Sequence, residues 1–330
     1  MKALLGVILV VPLAFFGATF SSQKAEAPLK KVSEISLPDS ATRFDYQSID
    51  ESSGRLYLSH MGAGKLIVFD TKTNKILANL NGYPTVTGVL AVPSEGKVYA
   101  SAAGSHEVVV SDIKTNAVLA RVSGADFPDG IAYVPTVHRV FVSDESGGAD
   151  LVIDARSNKP LGKVALGGEA GNTQYDPATN SIWVAVQTRN EMASIDPNSL
   201  KISGRFSLKG SDHPHGFYID SPNHVAYISC EGNDKLLVAD LKTMKVLQSF
   251  DVTSGPDVLA FDRGLQRLYV GCEGGAVDVF QSSKGTLKPM GRFQAPNAHT
   301  VAVDQKTHKV FVALKSVGGK PALWILEATR

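Results

Sequence analysis

The segment Gly54-Arg55-Leu56-Tyr57-Leu58-Ser59 decides the fold of this chain, because the sequence repeats its pattern of residue types. Every copy carries an aromatic residue at the fourth position, and successive copies begin 42 or 44 residues apart. The seven copies begin at Gly54, Gly96, His138, Asn180, His224, Gln266 and His308. Repeats of this length are typical of architectures in which each unit buries its faces against its neighbours.

Each repeat predicts four short strands. The first is apolar, as in 131–134, and the second carries the aromatic residue. The third ends at an aspartate, as in 65–70, and the fourth is more polar, as in 75–80. Turns rich in Asp, Pro and Asn separate them, and no stretch has sustained helical periodicity. Four-stranded antiparallel sheets that stack radially form a propeller, so we predict an all-β, seven-bladed β-propeller.

The closure of the ring can also be predicted. The seventh repeat ends after its third strand, at 323–326, whereas a spare strand at 30–37 precedes the first repeat. This N-terminal strand is expected to complete the last blade, because a closed ring leaves few sheet edges exposed. The sequence therefore predicts a single propeller domain over residues 28–330.

Residues 1–27 do not fit the repeat. Lys2 precedes an apolar run from Ala3 to Phe20, and the sequence Ala25-Glu26-Ala27 follows. A basic start, an apolar middle and small residues at the end indicate a signal peptide. The apolar run is nearly long enough to span a bilayer, so a retained N-terminal anchor is the alternative. Both interpretations predict a periplasmic or secreted protein, with membrane contact only if the segment is retained.

Composition narrows the classes of partner. The chain has 43% hydrophobic residues and a formal net charge of +1, which is ordinary for a globular protein. Nucleic acid is not an expected partner, because phosphate binding requires clustered Lys and Arg. Cys230 and Cys272 occupy equivalent positions of neighbouring repeats, which favours two free, buried thiols. A disulfide or a soft-metal site is the alternative.

Two columns of residues are predicted to line one mouth of the central channel. In an antiparallel hairpin, the start of the first strand lies beside the end of the second. The first column comprises Asp45, Thr87, Asp129, Gly171, His215, Asp257 and His299. The second comprises Met61, Ala103, Glu145, Gln187, Glu231, Glu273 and Lys315. The ionisable residues are concentrated in blades five to seven, with another pair in blade three.

These columns predict a polar site. Imidazole and carboxylate groups suit zinc, copper or a similar ion, so we expect His215, Asp257 and His299 to be the ligands of a divalent metal. Further ligand-binding candidates are Asp45, Asp129, Glu145, Gln187 and Lys315. Glu231 and Glu273 are candidates for a general base or a further metal ligand. The alternative is that these charged residues only occupy a wet surface.

The repeats resemble the YVTN-type propeller repeat proteins, a family that includes the YncE-like exported bacterial propellers. Arg267-Leu268-Tyr269-Val270-Gly271 and the turn Asp70-Thr71-Lys72-Thr73-Asn74-Lys75 carry the resemblance, which covers nearly all of the predicted domain. It implies an exported binding or scaffold protein without a shared catalytic motif. Fold analogy alone does not transfer chemistry.

Three functional hypotheses follow. In the leading one, an exported propeller binds a small-molecule ligand, a metal ion or another exported protein through the charged mouth. The second is a metal-dependent hydrolase or lyase of the lactonase type that uses His215 and His299. The third is an accessory subunit of a periplasmic redox enzyme, which would carry no c-type haem because the sequence lacks C-x-x-C-H.

Overall fold

The structure is a computed structural model that describes residues 27–243 and 245–329, and these residues form seven four-stranded antiparallel sheets. The predicted signal segment 1–27 lies outside the described residues apart from Ala27. Consecutive strands within a blade are hydrogen-bonded neighbours, as expected for stacked hairpins. The all-β, seven-bladed propeller predicted from the repeat is confirmed.

The chain starts with β1 (Leu29–Ser36), and the first three blades follow it. Blade one comprises β2 (Gln47–Asp50), β3 (Arg55–His60), β4 (Lys65–Asp70) and β5 (Lys75–Asn81). Blade two comprises β6 (Val86–Val92), β7 (Lys97–Ala102), β8 (Glu107–Asp112) and β9 (Val118–Ser123). Blade three comprises β10 (Pro128–Val134), β11 (Arg139–Asp144), β12 (Ala149–Asp154) and β13 (Lys159–Ala165).

The remaining blades continue in the same order. Blade four comprises β14 (Ala170–Asp176), β15 (Ser181–Val186), β16 (Glu191–Asp196) and β17 (Lys201–Ser207). Blade five comprises β18 (Pro214–Asp220), β19 (Val225–Cys230), β20 (Lys235–Asp240) and β21 (Val246–Asp251). Blade six comprises β22 (Pro256–Asp262), β23 (Arg267–Cys272), β24 (Ala276–Ser283) and β25 (Thr286–Gln294). Blade seven contains β26 (Thr300–Val303), β27 (Lys309–Val317) and β28 (Lys320–Ala328).

Helical structure is confined to single turns in the part of the chain that the structure describes. These 3-10 turns are Met61–Ala63, Pro93–Glu95, Ala103–Ser105, Gln187–Arg189 and Ser221–Asn223. Among the described residues, we find no helix with the length and apolar character needed to cross a bilayer.

The N-terminal strand completes blade seven, as predicted. β1 pairs antiparallel with β28, from Leu29 opposite Ala328 to Ser36 opposite Ala322. Leu29 is buried in the same apolar cluster as Trp324 and Leu326. The two ends of the chain therefore share one sheet, which closes the ring without leaving β28 as an exposed edge.

The repeated aromatic residue is a core residue in every blade. Tyr57, Tyr99, Phe141, Trp183, Tyr227, Tyr269 and Phe311 are all buried. The cluster around Tyr57 also contains Val86 and Val98 of blade two, so the ring packs between adjacent sheets. Burial of such a side chain contributes about 2 kcal/mol to the free energy of folding.

The Asp-containing turns satisfy their own backbone groups. The Asp70 carboxylate accepts hydrogen bonds from the Lys72 N–H at 2.8 Å and the Thr73 hydroxyl at 2.8 Å. The same arrangement recurs at Asp112 and Asp240. An aspartate at the first turn position therefore ends the third strand and fixes the fourth, which explains why the turn sequence recurs.

Candidate functional site

In blades two to six the first-column residue sits in a β-bulge at the start of the innermost strand, whereas Asp45 and His299 lie just before the innermost strands of blades one and seven. In blade five, the pairing passes from Pro214 opposite Cys230 to Phe217 opposite Ile228, so His215 and Gly216 together face one residue. The same shift occurs in blades two, three, four and six. A bulge redirects the side chain of the extra residue, which here brings it towards the axis of the ring.

Close contact between backbones fixes the spacing of these bulges. A Cβ atom on Gly216 would lie 1.9 Å from the carbonyl oxygen of Asp257, and one on Gly88 would lie 1.9 Å from that of Asp129. The Ser229 hydroxyl donates a hydrogen bond to the same Asp257 carbonyl at 2.9 Å. Glycine after the first-column residue therefore lets the next blade approach, so that His215 and Asp257 become neighbours.

One carboxylate connects the two histidines of the first column. His215 Nδ1 lies 2.8 Å from Asp257 Oδ1, and His299 Nε2 lies 3.0 Å from Asp257 Oδ2. His299 Nε2 also lies 3.1 Å from Asp45 Oδ1, and His215 Nε2 lies 3.6 Å from Asp129 Oδ2. Each of these five residues is at most 8% exposed. They contact one another instead of being solvated separately.

The charges of this cluster change its pKa values. Burial lowers the pKa of His215, but Asp257, Asp129 and Glu231 outweigh it and raise that pKa well above its ordinary value. Burial also lowers the pKa of His299, but Asp257, Asp45 and Glu273 together raise it well above its ordinary value. Burial acts to raise the pKa of Asp257, but the two histidines hold it well below its usual range. At the centre of the cluster, one carboxylate thus faces two imidazole rings and favours their charged forms.

Three side chains of the cluster are close enough together to hold one metal ion. One ligand atom from each of His215, Glu231 and Asp257 lies within 4.8 Å of the others. They line a recess of about 210 Å³, and a nitrogen–oxygen donor set suits zinc and related ions. Of the predicted ligands, the structure brings His215 and Asp257 together. His299 is outside this group, because it faces the other oxygen of Asp257.

The remaining predicted residues surround this group. Gln187 donates a hydrogen bond to Glu145 at 3.2 Å, and Glu145 lines the recess. Burial and the neighbouring Asp129 raise the pKa of Glu145. Glu273 contacts His299 Nδ1 at 3.0 Å, and Lys315 is exposed beside it. The hydrogen bond from His299, together with Arg43, lowers the pKa of Glu273.

Sequence reasoning missed two residues of the site, Arg43 and Tyr46. Arg43 contacts Glu273 at 2.8 Å, and the Tyr46 hydroxyl donates a hydrogen bond to Asp129 at 3.3 Å. Both have a signal in the alignment of the repeats. Arg43 lies two residues before the first column, and no other repeat has a Lys or Arg at that position. Tyr46 directly follows the first column, at a position where blades two, three and five have a glycine.

The larger cavity of the propeller is not the one with the ionisable groups. It measures about 560 Å³ and is lined by the innermost strands in the other half of the channel. Glu51 is the one acidic or basic residue among the described residues that line it. Tyr46 borders this cavity while its hydroxyl contacts Asp129, so it lies between the two halves. The ionisable side chains of the first and second columns therefore line the smaller recess and not the larger cavity.

The two cysteines are not part of this site. Cys230 and Cys272 are buried and unbridged, as predicted. Burial raises the pKa of Cys230 to about 12, which keeps it protonated. Neither thiol is in a state that favours nucleophilic chemistry or metal binding.

Comparisons with known proteins support the fold and nothing finer. No protein-family model and no curated protein matches the chain. Among solved structures, it is similar to Kuenenia stuttgartiensis hydrazine synthase, with 14% identity and a TM-score of 0.74. The similarity covers 84% of this chain and 94% of that one. The assignment to the YVTN-type family remains a prediction.

Proposed function

We propose that this chain is a propeller scaffold whose charged mouth binds a divalent metal ion through His215, Glu231 and Asp257. The observation that carries the proposal is the placement of three ligand atoms within 4.8 Å of one another. Two of the side chains are buried and positioned by the bulges of adjacent blades. Three protein ligands leave a coordination position for water or a bound molecule.

Metal binding would have to displace protons. The imidazole must be neutral to donate its lone pair, whereas the charges around His215 raise its pKa. A bound metal ion would take the place of one proton of the His215 ring, and its positive charge would then face Asp129 and Asp257. We therefore expect binding at neutral pH to release protons and the affinity to fall as the pH decreases.

Calorimetry tests this function. The full chain, prepared without a histidine tag and treated with chelator, is titrated with Zn²⁺, Cu²⁺ and Mn²⁺. His215→Ala and Asp257→Asn should weaken binding strongly. The matched controls are His213→Ala, a half-exposed histidine two residues from His215, and Asp251→Asn, a side chain that is 86% exposed. Equal affinity in all four variants would refute the proposal.

A metal-dependent hydrolase or lyase is the second candidate, and Glu231 favours it. Burial and the charge of Asp257 raise the pKa of Glu231 to about 7, which suits a general base at neutral pH. In this version His215 and Asp257 would hold the metal, which would supply an activated water, and Glu231 would act as the base. Glu231→Gln should then abolish lactone hydrolysis and retain metal binding, whereas exposed Glu169→Gln should change neither.

We further propose that the protein is exported, on the basis of the N-terminal pattern of residues 1–27. The N-terminal mass of the protein from the periplasmic or culture fraction tests cleavage after Ala27. A role as an accessory subunit of a redox enzyme remains a proposal of the sequence. It is tested by crosslinking in the exported fraction, with Glu231→Gln and Glu273→Gln as variants of the mouth.

A further inference from the structure

A second recess adjoins the charged mouth. It measures about 110 Å³, and its polar walls are Arg43, Glu273, Asn297, His299 and Lys315. One water-sized position needs only about 10–15 Å³ of such volume, so the recess has room for a group of several heavy atoms. Its walls come from blades six and seven and from the segment before blade one, and they include His299 but not His215.

The permanent charges of this recess are mostly positive. Each repeat contributes three positions to the mouth. Two of them are the first-column and second-column residues, and the third is the residue two positions before the first column. Across the seven repeats, these positions contain one Arg and one Lys, which are Arg43 and Lys315. Both line the same recess, where Glu273 is the one carboxylate among the described lining residues. The recess therefore combines a guanidinium, an ammonium and the amide of Asn297.

Arg43 keeps donors free for a ligand. Its Nη1 is 2.8 Å from Glu273 Oε1, but its Nη2 faces the ring of His299 at 3.1 Å from Nε2. Both ring nitrogens of His299 already face carboxylates, at 3.0 Å from Glu273 and 3.0 Å from Asp257. The contacts with Glu273 and His299 involve only the two Nη atoms and leave other N–H groups of Arg43 unused. A guanidinium has five N–H donors in a planar fork that matches a carboxylate.

Arg43 also joins the two recesses, because it lines both the smaller one and the one that contains His215, Glu231 and Asp257. A ligand in the smaller recess would extend past this guanidinium to the metal-binding group. We propose that Arg43 and Lys315 bind the carboxylate of a small anionic ligand whose other polar end reaches the proposed metal site. This inference rests on the proposed function for the metal end and on Arg43 and Lys315 for the anionic end.

The test uses the full chain and two matched probes, glycolate and its uncharged amide, glycolamide. Calorimetry is run once with chelator and once with Zn²⁺. Glycolate should bind in both conditions and more tightly with Zn²⁺, while glycolamide should bind much more weakly in both. Lys315→Gln and Arg43→Gln should each weaken glycolate binding about tenfold, as expected for a charge-assisted hydrogen bond.

The control for charge is Lys209→Gln, an exposed lysine in the loop that precedes β18 on the same face. It should leave glycolate affinity unchanged. Glycolate binding that is absent, or that is equal in wild type, Lys315→Gln and Arg43→Gln, would overturn the inference. Failure of Zn²⁺ to bind at all would overturn only the proposed metal site, since the chelator arm tests the anion recess alone.

Discussion

His215 and His299 bind opposite oxygens of one carboxylate, that of Asp257, at 2.8 Å and 3.0 Å. The three residues come from blades five, seven and six, and they lie 84 residues apart along the chain from first to last. Because the ring places them side by side, one buried charge controls the protonation of both histidines. This bridge links the proposed metal site to the adjacent cationic recess.

Asp257→Asn should therefore lower the pKa of both histidines together. The substitution keeps the size of the side chain and removes the charge that most strongly raises both pKa values. NMR titration of the imidazole signals in the metal-free protein measures the change. Asp251→Asn is the control and should move neither signal. A shift confined to one histidine would contradict the bridging role of Asp257.

Gly216→Ala should reduce both stability and metal affinity. The added Cβ would lie 1.9 Å from the Asp257 carbonyl oxygen, so blades five and six must move apart, at a cost of about 1–3 kcal/mol. Urea denaturation and calorimetry with Zn²⁺ measure the two effects. Gly204→Ala is a milder control, because its Cβ would meet the movable ring of Phe206 on an outer strand. Equal stability of both variants would argue against close contact at Gly216.

Asp150 should make the protein less stable as the pH rises. Burial, with a smaller contribution from Asp144, raises the pKa of this fully buried carboxyl to about 7. In the unfolded chain the same group releases its proton near pH 4. Between these values the folded state binds more protons, so the free energy of unfolding falls with rising pH, by at most about 1.4 kcal/mol per pH unit.

Asp150→Asn removes this titration. Above pH 7 the variant should be more stable than the wild type, and the difference should vanish as the pH falls to about 4. Urea denaturation at several pH values measures the difference, with Asp251→Asn as the control. A constant difference across this range would show that Asp150 does not hold a proton in the folded state.

The strand β1 should be required for a stable ring. Its pairing with β28 extends from Leu29 to Ser36, and Leu29 is buried with Trp324. A chain that starts at residue 38 exposes β28 as an edge, which favours aggregation. Size-exclusion chromatography and thermal unfolding should show aggregation or a large loss of stability. A chain that starts at residue 28 is the control and should remain monodisperse.

The sequence predicted the fold and its closure, and it predicted that the first-column residues share one mouth of the channel. The alternation around Tyr57 recurs in every blade, and the first column alone predicts that His215, Asp257 and His299 lie near one another. These features depend on local pattern and on a fixed repeat length, which a sequence carries directly.

The order of contacts could not be predicted in the same way. The bulge at His215–Gly216 and the close approach at Gly216 decide that Asp257 lies between the histidines, and both depend on how two sheets pack. Arg43 was missed because it precedes the first strand by several residues. Its role follows only from the ring closure that brings blade one beside Glu273 of blade six.

The metal site is tested most directly by a crystal structure of the protein soaked with Zn²⁺ and measured at the zinc absorption edge. We expect an anomalous difference peak about 2.0–2.2 Å from a ring nitrogen of His215 and from oxygens of Glu231 and Asp257. A peak elsewhere on the protein, with the His215–Asp257 contact unchanged, would contradict it.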